Sequence, residues 1–179
     1  MTKQELRQTI RQRLREILPE HKERAAQQIK DNFLSLELDY QAVCVYNAMP
    51  NEISTQSILD ELMGVVEVYM PVVRGDDMYM VKVDTYSQFE VGAFGISEPI
   101  GELIAPENVN IDVCITPMMG ADKQLGRLGK GKGYYDKFFA KVQCTKVGLC
   151  YDVQVVDDVM SESWDIPMDY VVTEKGIYR

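Results

Sequence analysis

The residues best placed to do chemistry lie in one stretch, Gly126-Arg127-Leu128-Gly129-Lys130-Gly131-Lys132-Gly133-Tyr134-Tyr135-Asp136. Glycines at 129, 131 and 133 remove alternate side chains, so the backbone can approach a ligand closely and turn its amides toward an anion. Arg127, Lys130 and Lys132, with Lys123 upstream, concentrate positive charge there. A helix expected from about Tyr134 adds its amino-terminal amides and dipole, an attraction of about 0.3–1 kcal/mol for an anion. Gly126 to Lys132 nearly satisfies the Walker A pattern G-x-x-x-x-G-K, but Gly133 stands where that loop needs the Ser or Thr that holds Mg²⁺. A metal here therefore needs a carboxylate, and Asp136 lies one helical turn beyond Gly133.

Three further sets of residues bear on this loop. Lys3, Arg7, Arg11 and Arg15 are four apart and form one stripe on a first helix, either a solvated face or a second set of cations for a polyphosphate. Glu52 follows the first apolar run, where open α/β sheets bind ligands, and reads either as a ligand contact or as a loop acid. Asp165, in Trp164-Asp165-Ile166-Pro167-Met168-Asp169, reads either as a metal ligand or as a turn residue. Nucleophilic catalysis through histidine is hard to build, because His21 is the only histidine and sits on a charged helix. Phosphoryl transfer needs positioning and cations, and no histidine.

The elements that must position these groups follow from periodicity. Thr2 with Glu5 fits a capping box, and Leu6, Ile10, Leu14 and Ile17 predict a helix to about Leu18. A second helix is expected from Pro19 to about Leu36, burying Ala25, Ala26, Ile29, Phe33 and Leu34. Residues 42–46 (AVCVY) suit a buried parallel strand, and Ser54 an N-cap for a helix from Thr55 to Met63. Strands are expected over 65–71 and 78–83, joined through Gly75-Asp76-Asp77, then over 111–116, 146–151 and 170–173. Residues 92–106 and 117–133 read as loops, and 134–142 as a helix. Alternating strands and helices predict an α/β fold, a three-layer α/β/α sandwich with a mostly parallel sheet and the N-terminal helical pair packed on it.

The 179 residues suit a single domain, 1–179, with 46% hydrophobic and 26% charged residues. A net charge of −9 argues against duplex nucleic acid or an anionic membrane as partner. Cys44, Cys114, Cys144 and Cys150 form no C-x-x-C pair, and three of them sit in or at the end of apolar runs, as buried small hydrophobes do. With no signal-like or 18-residue apolar stretch, the protein is expected in the reducing cytoplasm. A monomer is expected.

The run Arg127–Asp136, R-L-G-K-G-K-G-Y-Y-D, resembles the signature of the 5-formyltetrahydrofolate cyclo-ligase (5,10-methenyltetrahydrofolate synthetase) family. The resemblance extends to Lys3 and Arg7, to N-E-I-S-T at Asn51–Thr55, to G-x-F-G-I-x-E-P at Gly92–Pro99 and to D-I-P-M-D at Asp165–Asp169. It implies ATP- and Mg²⁺-dependent cyclisation of 5-formyltetrahydrofolate to 5,10-methenyltetrahydrofolate, with release of ADP and phosphate. It also implies an ATP site made of Lys3, Arg7, Arg127, Leu128, Gly129, Lys130, Gly131, Lys132, Gly133, Tyr134 and Tyr135. Asn47, Glu52 and the loop from Lys130 to Tyr134 are implied to meet the folate, with Phe94 or Ile96 against the pterin. Asp136 and Asp165 match the metal-associated acids, and Lys132, Arg127 and Glu52 form the expected catalytic set. The chain departs from the family's P-G-V-A-F-D at Pro117-Met118-Met119-Gly120-Ala121-Asp122, which implies altered packing beneath the loop. A small-molecule kinase, or a nucleotide- or folate-binding module without turnover, are the competing readings.

Overall fold

The computed structural model describes residues 1–92 and 95–179. Helices α1 (Lys3–Arg15) and α2 (Pro19–Leu34) come first, followed by β1 (Ala42–Val45), α3 (Gln56–Leu62), β2 (Glu67–Arg74) and β3 (Asp77–Val83). A short hairpin, β4 (Phe89–Val91) and β5 (Ser97–Pro99), precedes β6 (Val113–Pro117), β7 (Gly120–Asp122) and β8 (Arg127–Leu128). The chain ends with α4 (Tyr134–Lys141), β9 (Thr145–Leu149), β10 (Val155–Val156), β11 (Tyr170–Thr173) and β12 (Gly176–Tyr178).

Seven strands form one sheet in the order β12-β11-β9-β6-β1-β2-β3. Its five inner strands run parallel, and β3 and β12 lie antiparallel at the edges. Alternate side chains face opposite layers, as strand geometry requires. Val43, Val45, Val113 and Ile115 meet Ile10, Ile29, Phe33 and Ile58 from α1, α2 and α3. Cys44, Cys114, Tyr69 and Met80 meet Phe138 and Phe139 from α4. Each large side chain buried this way contributes about 1.5–3 kcal/mol. The layers, the mostly parallel sheet and the packed helical pair are those expected from the sequence.

Local departures have physical causes. The first two helices stop at Arg15 and Leu34, short of Leu18 and Leu36. The third starts at Gln56 with Thr55, not Ser54, at the N-cap; the Thr55 hydroxyl donates to the Tyr46 carbonyl (2.8 Å) and pins the loop after β1. The expected loop over 117–133 contains β7 and β8, which join β10 in a small separate sheet. Two buried side chains organise it. Asp122 accepts from the N–H groups of Gln124, Gly126 and Val159, and the Gln154 amide donates to the Met118 and Met119 carbonyls. The segment that departs from the family pattern is thereby held from beneath. Cys44, Cys114 and Cys150 are buried free thiols, and burial pushes the Cys150 thiol well above its ordinary range. No described helix is long and apolar enough to cross a membrane.

The sheet has one topological switch. From β1 the chain moves outward through β2 and β3, whereas from β6 it moves the other way through β9 and β11. At such a point the loops beyond the carboxyl ends of the two strands separate and leave a crevice. Tyr46 and Asn47 after β1, and Pro117 and Met118 at the end of β6, line a cavity of about 860 Å³ there.

Candidate functional site

The glycine loop forms one wall of that cavity. Gly131 and Gly133 have φ of 105° and 70°, values that side-chain-bearing residues rarely adopt, and Gly133 is the N-cap of α4. Among the described residues, the N–H groups of Lys130, Gly131, Lys132 and Gly133 donate no hydrogen bond. Together with the first-turn amides of α4 they are free donors beside a cavity, the arrangement that cradles an anion. Lys132 is exposed and has no ion-pair partner among the described residues.

The α1 helix brings in the second set of cations. The Arg7 guanidinium donates through Nε to the Gly129 carbonyl (2.8 Å), fixing the start of the loop. Lys3 Nζ lies 2.6 Å from Asp165 Oδ2 and 2.8 Å from Glu162 Oε1. Partial burial disfavours the Lys3 ammonium, but the two carboxylates outweigh it and raise its pKa above the usual lysine value. Asp165 is opposed in the same way by burial, and the Lys3 contact and the Glu162 N–H hold it below the usual aspartate value. Arg11 and Arg15 continue the stripe away from the cavity and do not line it.

Arg127 packs its guanidinium over the Tyr135 ring, 5.2 Å from the centroid, and occupies the space that a side chain at Gly129 would need. Its Nε is shut off from solvent and has no hydrogen-bond partner among the described residues. Burial lowers its pKa, opposed by the charge of Asp136, and it remains a cation as arginines do. A buried donor without an acceptor is costly, and an anion in the cavity would relieve it. Asp136, in the first turn of α4, accepts from the Ile166 N–H (3.2 Å), so α4 and the segment carrying Asp165 meet at the cavity edge.

The β1 side of the cavity is built from less charge and more shape. Glu52, nearly buried, accepts from Lys130 Nζ at Oε1 (2.6 Å) and from the Met49 N–H at Oε2 (2.8 Å). The Asn47 amide donates to the Ser97 carbonyl (2.8 Å), tying the loop after β1 to the β4–β5 hairpin. Pro71, Val73, Met78 and Ile96 supply apolar wall. Phe94, the other residue expected against a pterin, lies outside the described residues. The residues that the family resemblance assigned to nucleotide, folate and metal otherwise all line this one cavity, the two expected metal-associated acids included, whereas Lys123, like Arg11 and Arg15, does not.

Sequence reasoning missed three contributors. Glu98 is buried in the wall and paired with Arg74 (2.8 Å), Asp122 shapes the turn before Arg127, and Trp164 lines the cavity with its ring largely exposed. Glu98 and Trp164 stood inside motifs already noted, but nothing in their spacing shows what they face.

The comparisons with known proteins agree with this geometry. A model of the 5-formyltetrahydrofolate cyclo-ligase family matches residues 1–174. The chain belongs to that family. Among its relatives, the 5-formyltetrahydrofolate cyclo-ligase of Haemophilus influenzae is 31% identical, over 90% of this chain and 94% of its own length. That of Escherichia coli K12 is 29% identical, over 95% and 99%. The NMR structure of Aquifex aeolicus 5,10-methenyltetrahydrofolate synthetase is 34% identical, covers 100% of this chain and 93% of that one, and superposes with a TM-score of 0.87. A Mycoplasma pneumoniae 5,10-methenyltetrahydrofolate synthetase, at 22% identity and a TM-score of 0.76, shares the fold. Membership in the cyclo-ligase family makes the chain a ligase of folate chemistry, as its motifs implied.

Proposed function

We propose that the chain cyclises 5-formyltetrahydrofolate to 5,10-methenyltetrahydrofolate, using ATP with Mg²⁺ and releasing ADP and phosphate. The observation that carries this reading is the convergence, on one cavity, of the free amides and cations of the glycine loop with a separate apolar wall marked by Asn47 and Glu52. Lys3, Arg7 and the backbone from Arg127 to Tyr135 take the polyphosphate, and Asn47, Glu52 and Ile96 take the folate.

The residues present fit a magnesium ion. Mg²⁺ favours one or two carboxylates and completes its shell with water and phosphate oxygens. Asp136 and Asp165 each keep one carboxylate oxygen that makes no hydrogen bond among the described residues. When bound, the ion neutralises and orients the phosphates. Among the described residues no three His, Cys, Asp or Glu side chains cluster, so the protein alone offers no full cage and the nucleotide supplies further ligands.

The formyl oxygen attacks the γ-phosphorus as the bond to ADP breaks, and the formyl carbon becomes an activated imidate. Lys132 and Arg127 hold the charge that spreads over the transferring oxygens. The bridge nitrogen then bonds to that carbon and loses its proton, and the carbon–oxygen bond to phosphate breaks. Glu52 stays in place through its bond from the Met49 N–H, so Lys130 can leave it for a ligand without freeing the side chain. The reading carries with it a cytoplasmic monomer of one-carbon metabolism that acts on small molecules, without nucleic acid or membrane as partner.

Purified protein mixed with 5-formyltetrahydrofolate, ATP and Mg²⁺ is expected to show the near-ultraviolet band of the methenyl product and free phosphate rising together, neither without ATP. A phosphorylated folate that persists while no phosphate appears would make it a kinase. Binding of both substrates without turnover would make it a binding module.

A further inference from the structure

The chain's single tryptophan is placed where burial gains the fold little. Trp164 is 68% exposed, although a buried indole contributes more apolar area than almost any other side chain. The backbone turn that carries it is nevertheless fixed. The Asp165 N–H donates to the Glu162 carbonyl (3.0 Å), and the Glu162 N–H donates back to Asp165 Oδ2 (2.9 Å), closing a tight turn around residue 164. The same Asp165 oxygen holds Lys3, and the next residue, Ile166, donates to Asp136. A flat aromatic surface is thus presented on a pinned turn, at the cavity edge, beside the cations and acids assigned to the phosphates and the metal. The neighbouring aromatic on this side, Tyr135, already has its face covered by Arg127.

We propose that Trp164 is the stacking platform for the base of the nucleotide. The inference rests on the ATP reading above and extends it. With the phosphates on Lys3, Arg7 and the glycine loop, the base lies outward against the indole face. The pterin is a less suitable occupant, because the turn is tied to Lys3 and Asp136 and, among the described residues, has no hydrogen bond to Asn47, Glu52 or the hairpin. Stacking on an aromatic face is tolerant of base identity, so purine nucleotides other than ATP should also be accepted.

Since the protein has one tryptophan, its emission reports this site alone. Titration with ATP, and with GTP, is expected to change the emission, and tripolyphosphate to leave it unchanged. Trp164→Ala is expected to raise KM for ATP roughly 5- to 150-fold with little change in KM for 5-formyltetrahydrofolate, and Trp164→Phe to restore most of the loss. Wild-type turnover with an emission that ATP does not alter, or an unchanged KM for ATP in Trp164→Ala, overturns the platform and leaves the cyclo-ligase reading intact. A rise confined to the folate KM overturns it in favour of the pterin. Absence of any ATP-dependent turnover in the wild type removes the cyclo-ligase reading itself.

Discussion

On the α1 side of the cavity, Lys3, Arg7 and Arg127 are each held by a partner that fixes where the charge sits: two carboxylates, a backbone carbonyl and an aromatic ring. On the β1 side, the polar groups of Asn47 and Glu52 stand among Pro71, Val73, Met78 and Ile96. The first side can work by preorganised charge, and the second by shape with one or two orienting contacts. The glycine loop spans both, with Gly129 held by Arg7 and Lys130 by Glu52. A catalyst that must activate a weak nucleophile by phosphoryl transfer gains most from the charged side, and should lose most when that side is altered.

The largest effect is expected from Lys132→Ala, because the Lys132 side chain has no partner among the described residues and its loss should be felt only in catalysis. Steady-state assays should show kcat down about 100- to 1,000-fold, with thermal stability unchanged. If kcat held and only KM moved, the charged side would bind without catalysing.

Glu52→Gln should next raise KM for the folate about 10- to 100-fold and spare KM for ATP, since a hydrogen bond to a charged group is weakened on the β1 side. A rise in the ATP KM instead would erase the division between the sides.

A smaller, pH-dependent effect is expected at the Lys3–Asp165 pair. The Asp165 pKa is depressed, so its contribution to stability is present above the ordinary aspartate pKa of 3.8 and is lost as pH falls through its lower folded value. The raised Lys3 pKa makes the other boundary: its contribution is complete below 10.5 and is lost as pH rises through the folded value. Melting curves of wild type and Asp165→Asn should therefore differ by a constant amount across neutral pH and converge in acid. An offset that persisted in acid would show that the pair's charge is not what it contributes.

The smallest change is expected from Thr2→Ala. It removes the α1 cap, whose Thr2 hydroxyl accepts from the Glu5 N–H while Glu5 reaches back to the Thr2 N–H. About 1 kcal/mol of stability should go, read by denaturant unfolding, with kcat unchanged.

The two sides also differ in how far the sequence reveals them. The charged side is concentrated in residues 126–136, where alternating glycines, lysines and a helix start state their purpose locally. The β1 side is drawn from β1, β2, β3 and the β4–β5 hairpin, so Pro71, Met78 and Glu98 meet only once strand order is known. The buried strands of the main sheet were legible because four or five apolar residues in a row have few other uses. The strands β7, β8 and β10 were not, because two or three residues carry no period, and the side chains that seat them, Asp122 and Gln154, act across 37 and 36 positions. Thr55 replaced Ser54 at the helix start for a similar reason, since the Tyr46 carbonyl that takes its hydroxyl lies nine residues away.

The bond from Lys3 to Asp165 spans 162 positions. On a ribosome, residue 3 emerges long before its partner has been translated, so the α1 side of the cavity cannot be completed until residue 165 has emerged. Closing so long a loop costs little more than closing a short one, because the entropy grows only with the logarithm of length, but contacts of this range form slowly. Docking of α1 onto the glycine loop therefore joins segments far apart in the chain, although Leu6, Ile10 and Leu14 also seat the helix in the core. Nucleotide bound as proposed above would bridge Lys3 and the loop and so clasp segments 162 positions apart, and amide hydrogen exchange in α1 should then slow when ATP is added.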